Sequence, residues 1–169
     1  MKNFININDV SDYNKLLNEA LDLKKTEIDI ATGKNKTLGL IFFNPSLRTR
    51  LSSYKAAQNL GMNVIELNFD KQGWKLEFNN NVIMNSNKAE HIKEAAQVIS
   101  QYCDIVGIRS FASLNDKKED EKETIIKSFK KYGTIPVINL ESSCYHPLQA
   151  LADAITINEM VEKKNPKII

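Results

Sequence analysis

Cysteine, glycine, proline and tryptophan are all scarce in this 169-residue chain, which holds 2, 6, 4 and 1 of them respectively. The two cysteines, Cys103 and Cys144, form no C-x-x-C pair and have no histidine at metal-ligand spacing, which argues against a disulfide framework or a zinc site. Both read as small buried residues of a reduced compartment. Charge of either sign is nearly balanced: 23 Lys and Arg against 21 Asp and Glu give a net +2, too little to argue for nucleic acid or an anionic membrane as partner. No run approaches the roughly 18 apolar residues of a membrane span, and the polar start MKNFININDVSD has no signal-peptide core. The chain therefore reads as cytoplasmic. It also lacks both GxxxxGK(S/T) and GxGxxG, so ATP and dinucleotide readings lose their main support. No Ser-His-Asp or Cys-His arrangement has independent support, and Cys144 close to His146 is only weak evidence for a thiol nucleophile.

What remains is ordinary for a globular domain. Apolar residues make up 42% and charged residues 26% of the chain, enough to bury the core of one domain with appended elements. Leu16, Leu17, Ala20, Leu21 and Leu23 recur at helical spacing and predict a helix over 11–27, capped by Ser11 or Asp12. The run TLGLIFF at 37–43 is nearly all apolar, as in a strand covered on both faces. A helix follows over 46–61, stopped by Gly61, and then a strand at 62–69. Asn87 with Glu90 three residues later resembles a capping box, which predicts a helix over 87–102. A strand at 104–111, one highly charged helix at 115–133 and a strand at 135–140 come next. Pro147 sits at the first position of a last helix. Strands alternating with helices imply an α/β fold: a parallel sheet of about four strands with helices on both faces and right-handed crossovers.

Open parallel sheets bind ligands beyond the carboxyl ends of their strands. Ser46, Arg48, Thr49 and Arg50 follow the first strand, and Arg109 comes at the end of the third. Glu141, Ser142, Ser143 and His146 follow the fourth, with Gln149 one helical turn beyond His146. Three strand ends thus point cationic and hydrogen-bonding groups at one rim. Ser46 is a natural helix cap, and the free N–H groups of the helix it opens attract an anion. Arg48 and Thr49 in that turn add a guanidinium fork and a hydroxyl, each charge-assisted bond worth roughly 1.5–3 kcal/mol. The rim suits a phosphate. His91, inside a helix pattern, reads as structural or exposed.

The stretches FFNPSLRTR and HPLQALAD, with GIRSF between them, resemble the two signatures of the aspartate/ornithine carbamoyltransferases. Leu47, QGWKLEF, CDIVGIRSF and NLESSCYHP look most like the N-acetylornithine and N-succinylornithine branch, the succinyl type above all. The resemblance covers the carbamoyl-phosphate-binding half of a two-domain family member. It implies that 1–150 form that domain and that 151–169 begin an inter-domain helix toward an acceptor-binding domain outside this sequence. It further implies that Ser46, Leu47 through its backbone, Arg48 and Thr49 hold the phosphate, and that Pro147 and Leu148 of the second signature also belong to the carbamoyl-phosphate site. Arg109 would contact phosphate and carbonyl oxygen, His146 would donate to that oxygen, and Gln149 would hold the carbamoyl nitrogen. Thr49, Arg109 and His146 would be the catalytic groups. Glu141 would help bind the acylornithine, and Trp74 would reach into a neighbouring subunit's site in a homotrimer. No metal or organic cofactor is implied. Ala89 stands where succinyl-type enzymes carry Pro and acetyl-type enzymes Glu, a position that bears on acceptor choice, so the sequence leaves an N-acetyl or an N-succinyl acceptor open. Two alternatives stay open on the residues: a non-catalytic module that binds carbamoyl phosphate or phosphate, and an ornithine carbamoyltransferase. This chain alone is expected to lack transferase activity, because half of the implied site is outside it.

Overall fold

The computed structural model describes residues 1–69, 74–79, 81–84 and 87–161. Its strands are β1 (Thr37–Phe42), β2 (Asn63–Asn68), β3 (Leu76–Glu77), β4 (Glu90–His91), β5 (Ile105–Ser110) and β6 (Val137–Ser142). Its α-helices are α1 (Tyr13–Leu23), α2 (Leu47–Asn59), α3 (Ile92–Tyr102), α4 (Lys117–Glu121), α5 (Thr124–Tyr132) and α6 (Pro147–Met160). Four strands form one parallel sheet in the order β2-β1-β5-β6, and β3 and β4 pair as a separate two-stranded ribbon. This is the expected α/β sheet. Phe4 adds a single parallel bridge to Ile138, so the N-terminal segment covers the β6 edge.

The apolar run of β1 is buried on both faces because its alternate residues enter two different cores. Leu38, Leu40 and Phe42 meet Ala57 of α2 and Leu140 on one face. Ile41 faces the other way, into a cluster with Ile92, Ala96 and Ile99 of α3 and Ile126 and Phe129 of α5. Helices thus lie on both faces, and α1 rests on α6. Gly61 ends α2 with φ of 76°, a left-handed conformation that glycine adopts without strain; a Cβ there would lie 2.2 Å from the Ile30 carbonyl oxygen. No helix among the described residues is long and apolar enough to cross a membrane.

Some boundaries differ from the sequence reading. The last strand runs Val137–Ser142 rather than 135–140, so Glu141 and Ser142 lie within it instead of following it. The first helix stops at Leu23, not at 27. The helix expected from 87 begins at Ile92: Asn87 is not its cap, and Glu90 closes no capping box, because Glu90 and His91 are taken into β4 beside Leu76 and Glu77. His91 is the cap instead, its Nδ1 accepting the Lys93 N–H at 3.0 Å. The single charged helix expected at 115–133 is two, because Glu123 between them has a left-handed backbone. The expected segment at 162–169 lies outside the described residues, as do 70–73 and 80 of the polar stretch around Trp74.

The β3–β4 ribbon is pinned by Glu77, whose Oε1 accepts the Asn79 and Phe78 N–H groups, both at 2.8 Å. The bond from Asn79 holds this carboxyl below its ordinary 4.5; burial opposes it, and the Phe78 bond, Lys88 and His91 add to it. A depressed carboxyl stabilises the fold above its unfolded-state pKa and loses that contribution as pH falls through the folded value. Glu77→Gln should therefore lower the urea midpoint at neutral pH, with the gap to wild type closing as pH drops below about 4.5. A gap independent of pH between neutrality and pH ~3 would sink that account.

Candidate functional site

Strand order reverses at β1. The chain leaves β1 for β2 on one side, and β5 and β6 then add on the other, so the carboxyl ends of β1 and β5 flank the crevice where such sheets take ligands. The site is assembled there from three elements.

The first is the turn from β1 into α2. Ser46 is extended, at φ −159° and ψ 116°, and caps α2: its Oγ accepts the Thr49 N–H at 3.4 Å and donates to Thr49 Oγ1 at 2.9 Å. Arg48 is exposed in the first turn, with no hydrogen bond or ion pair to the described residues. A charged fork held by no described residue, at a helix start whose first N–H groups have no intrahelical partner, is available to an anion.

The second element is the end of β5. The β5–β6 register shifts between Ile108 and Arg109, so Arg109 lies opposite Glu141 rather than Leu140. Its Nε donates to Glu141 Oε2 at 3.1 Å, and Nη2 lies 2.9 Å from the same oxygen. Nη1 reaches across the crevice to the Pro45 carbonyl at 3.0 Å and the Asn44 carbonyl at 3.4 Å. One guanidinium therefore ties the ends of β1, β5 and β6 together.

The third is the start of α6. His146 is its cap, with Nδ1 3.4 Å from the Gln149 N–H that it accepts. An Nδ1 that accepts leaves the ring proton on Nε2, free to donate. The Gln149 side-chain Nε2 donates to Asp153 Oδ1 at 2.8 Å, which leaves the amide oxygen free to accept an N–H. Two helix N-termini, of α2 and α6, converge on one opening.

That opening is a hollow of about 610 Å³. Ser46, Leu47, Arg48, Thr49, Arg109, Glu141, His146, Leu148 and Gln149 all line it. Ser142 and Ser143, expected on the rim, do not line it, and Ser142 is buried and donates to Glu123 instead. Nor do Pro147 and Trp74, the two ligand-binding residues that the resemblance implied. Pro147 is buried and borders a separate apolar hollow with Phe4 and Tyr13, behind His146. Trp74 is 51% exposed, donates from Nε1 to Glu90 at 3.2 Å, and borders another hollow with Leu67, Phe69, Val98 and Ile99. Sequence reading missed Ser52 and Ser53, which line the site; they lie one helical turn beyond Arg48 and Thr49, a spacing that could have flagged them.

Arg50, expected on the rim, is turned away. It pairs with Glu66, donates to Asn68 Oδ1 at 2.8 Å and lies 4.4 Å from the centre of the Phe42 ring. Cys144, expected to be buried, is exposed in the β6–α6 loop, while Cys103 is buried. Desolvation and then the Glu123 carboxylate push the Cys144 thiol up, which disfavours a thiolate. Among the described residues no His, Cys, Asp and Glu cluster could hold a metal ion.

Residues 2–159 match the family described as aspartate/ornithine carbamoyltransferase, carbamoyl-P binding domain. The chain belongs to that family. It is 46% identical over 170 residues to N-succinylornithine carbamoyltransferase of Bacteroides thetaiotaomicron, covering 100% of this chain and 54% of that protein. It is 38% identical over 161 residues to N-acetylornithine carbamoyltransferase of Xanthomonas campestris, covering 94% and 47%. Among solved structures, acetylornithine transcarbamylase complexed with acetylcitrulline superposes with a TM-score of 0.87 at 37% identity, over 94% of this chain and 48% of that one. A glutamate-to-valine variant of N-acetyl-L-ornithine transcarbamylase, complexed with carbamyl phosphate and N-succinyl-L-norvaline, gives 0.87 at 38% over the same shares. The chain thus spans about half the length of the curated relatives it matches.

Proposed function

We propose that this chain is the carbamoyl-phosphate half of a carbamoyltransferase that carbamoylates the side-chain amine of an N-acylated ornithine in arginine biosynthesis. The observation that carries this reading is the convergence of two helix N-termini and the unpaired Arg48 on the crevice that Arg109 spans. The phosphate would sit at the α2 terminus against Ser46, the Leu47 backbone, Arg48 and Thr49. The carbamoyl oxygen would face Arg109 and His146 Nε2–H, and the carbamoyl NH₂ would face the free oxygen of Gln149. Attack by the amine on the carbamoyl carbon builds negative charge on that oxygen, where one well-placed donor is typically worth roughly 2.7–4 kcal/mol. Phosphate then departs into the cationic helix terminus that already holds it. No cofactor enters this scheme.

The acceptor we favour is N-succinylornithine. Ala89 stands in the resemblance where acetyl-type enzymes carry a glutamate, and a methyl group neither fills that space nor repels a succinyl carboxylate. Glu141 would bind the acylornithine once Arg109 turns to carbamoyl phosphate. The working assembly would be a cytoplasmic homotrimer, with the exposed Trp74 reaching a neighbouring subunit. Residues 1–150 would form the binding domain, and 151–169 would begin the link to the acceptor-binding domain.

Calorimetric titration of the chain with carbamoyl phosphate tests the reading. We expect saturable one-to-one binding, tighter than that of inorganic phosphate. Equal affinity for the two ligands would leave only a phosphate site, and no saturation with either would sink the reading altogether.

A further inference from the structure

Glu123 combines a strained backbone with a buried carboxylate at a distance from the hollow. It joins α4 to α5 at φ 49° and ψ 43° and makes no side-chain cap for α5. A non-glycine residue persists in this conformation only where its surroundings over-determine it. The surroundings here are the loop that leads into α6. The side chain turns inward, leaving Glu123 9% exposed. Its Oε1 accepts from Ser142 Oγ and from the Cys144 N–H, the latter at 3.1 Å.

The network continues from Ser142. Asn139, fully buried, donates from Nδ2 to Ser142 Oγ at 2.9 Å, to the Tyr145 carbonyl at 3.3 Å and to the Ile5 carbonyl at 3.1 Å. The Ser142 N–H closes the turn on the Tyr145 carbonyl at 2.9 Å. Residues 142–145 are thus fastened from beneath by two side chains, Glu123 and Asn139, neither of which lines the hollow. The next residue is His146.

We propose that Glu123, acting through Ser142 and the Cys144 N–H, is the positioning residue that fixes the 142–145 turn and so aims His146 Nε2 into the hollow. The proposal rests on the carbamoyl-phosphate reading of that hollow, and its test is separable from it. The two accepted bonds need an oxygen rather than a charge, so a glutamine at 123 retains them. Glycine removes them and relaxes the left-handed backbone, which separates loss of the contact from loss of the fold.

The chain has two histidines, so imidazole nitrogen NMR at about pH 8, where a free imidazole is neutral, reads each tautomer directly. In wild type His146 should carry its proton on Nε2. In Glu123→Gly that signal should average toward mixed tautomers and carbamoyl phosphate should bind about tenfold more weakly. In Glu123→Gln both should match wild type within about twofold. His91, on the remote β3–β4 ribbon, should keep its signal throughout and so reports an intact fold. Should Glu123→Gly disturb His91 as well, Ser142→Ala decides, since it deletes one hydroxyl and should shift His146 in the same direction. An unchanged His146 signal and affinity in Glu123→Gly or Ser142→Ala overturns the proposal, as does a Glu123→Gln chain as impaired as Glu123→Gly. A His146 signal that responds in a chain showing no carbamoyl phosphate binding supports the positioning role and sinks the functional reading instead.

Discussion

A chain carrying Arg109→Ala should lose measurable carbamoyl phosphate binding and also unfold at a lower urea concentration. Both losses follow from the same contacts. The guanidinium bonds Glu141 with two nitrogens and the carbonyls of Pro45 and Asn44 with the third. Only 12% of the Arg109 side chain and 23% of Glu141 is exposed, so the pair is partly desolvated. Alanine leaves that carboxylate without its cation and two carbonyls without their donor. Breaking a fully buried pair costs about 3–5 kcal/mol; water reaches this one, so about 2–3 kcal/mol is the expectation. The functional loss should be larger. Without Arg109 the crevice holds an unpaired carboxylate facing an anionic ligand, so a charge-assisted donor is removed and a repulsion exposed. Removing Glu141 as well should restore part of the stability and none of the binding. Arg109→Lys should fail too, since a single ammonium cannot span Glu141 and Pro45 as a planar fork does. Binding within about threefold of wild type in Arg109→Ala would falsify the placement of the ligand.

That pairing also marks where the sequence stopped being legible. The β1 run, the Ser46 cap and the proline opening α6 are local signals, each decided by a few neighbouring residues, and the structure shows them where they were read. The rim could be read because strand ends in a parallel sheet share one edge whatever their details. The partner of Arg109 could not, because it depends on a register shift between Ile108 and Arg109 that swaps Glu141 for Leu140. The misread helix start at 87 has a similar cause. Asn87 and Glu90 carry the right side chains for a capping box, but the backbone of Glu90 and His91 pairs with Leu76 and Glu77, fourteen residues earlier in register. Long-range pairing overrode a local propensity. Glu123 left no trace at all: in DEKETIIKSF it continues a helical pattern, and only burial against the 142–145 turn explains the break.

Arg48 and Arg50 stand two residues apart and should fail in opposite ways. Two positions on a helix differ by about 200° around the axis, so one arginine faces the crevice and the other faces β2. Arg48 has no partner among the described residues. Arg48→Ala should therefore leave the urea midpoint unchanged, within about 0.5 kcal/mol. It should weaken carbamoyl phosphate by about ten- to a hundredfold, the worth of one charge-assisted contact at roughly 1.5–3 kcal/mol. Arg50 bonds Glu66 and Asn68 and lies over the Phe42 ring, which itself is fully buried beneath α2. Arg50→Ala should lower stability by roughly 1–2 kcal/mol, from a half-exposed pair, a hydrogen bond and a cation–ring contact. Its affinity for carbamoyl phosphate should stay within about threefold of wild type. The two variants measured side by side separate a ligand from a strut on one helix turn. If Arg50→Ala abolishes binding at unchanged stability while Arg48→Ala does not, the phosphate lies on the β2 side of α2 and the crevice is the wrong site.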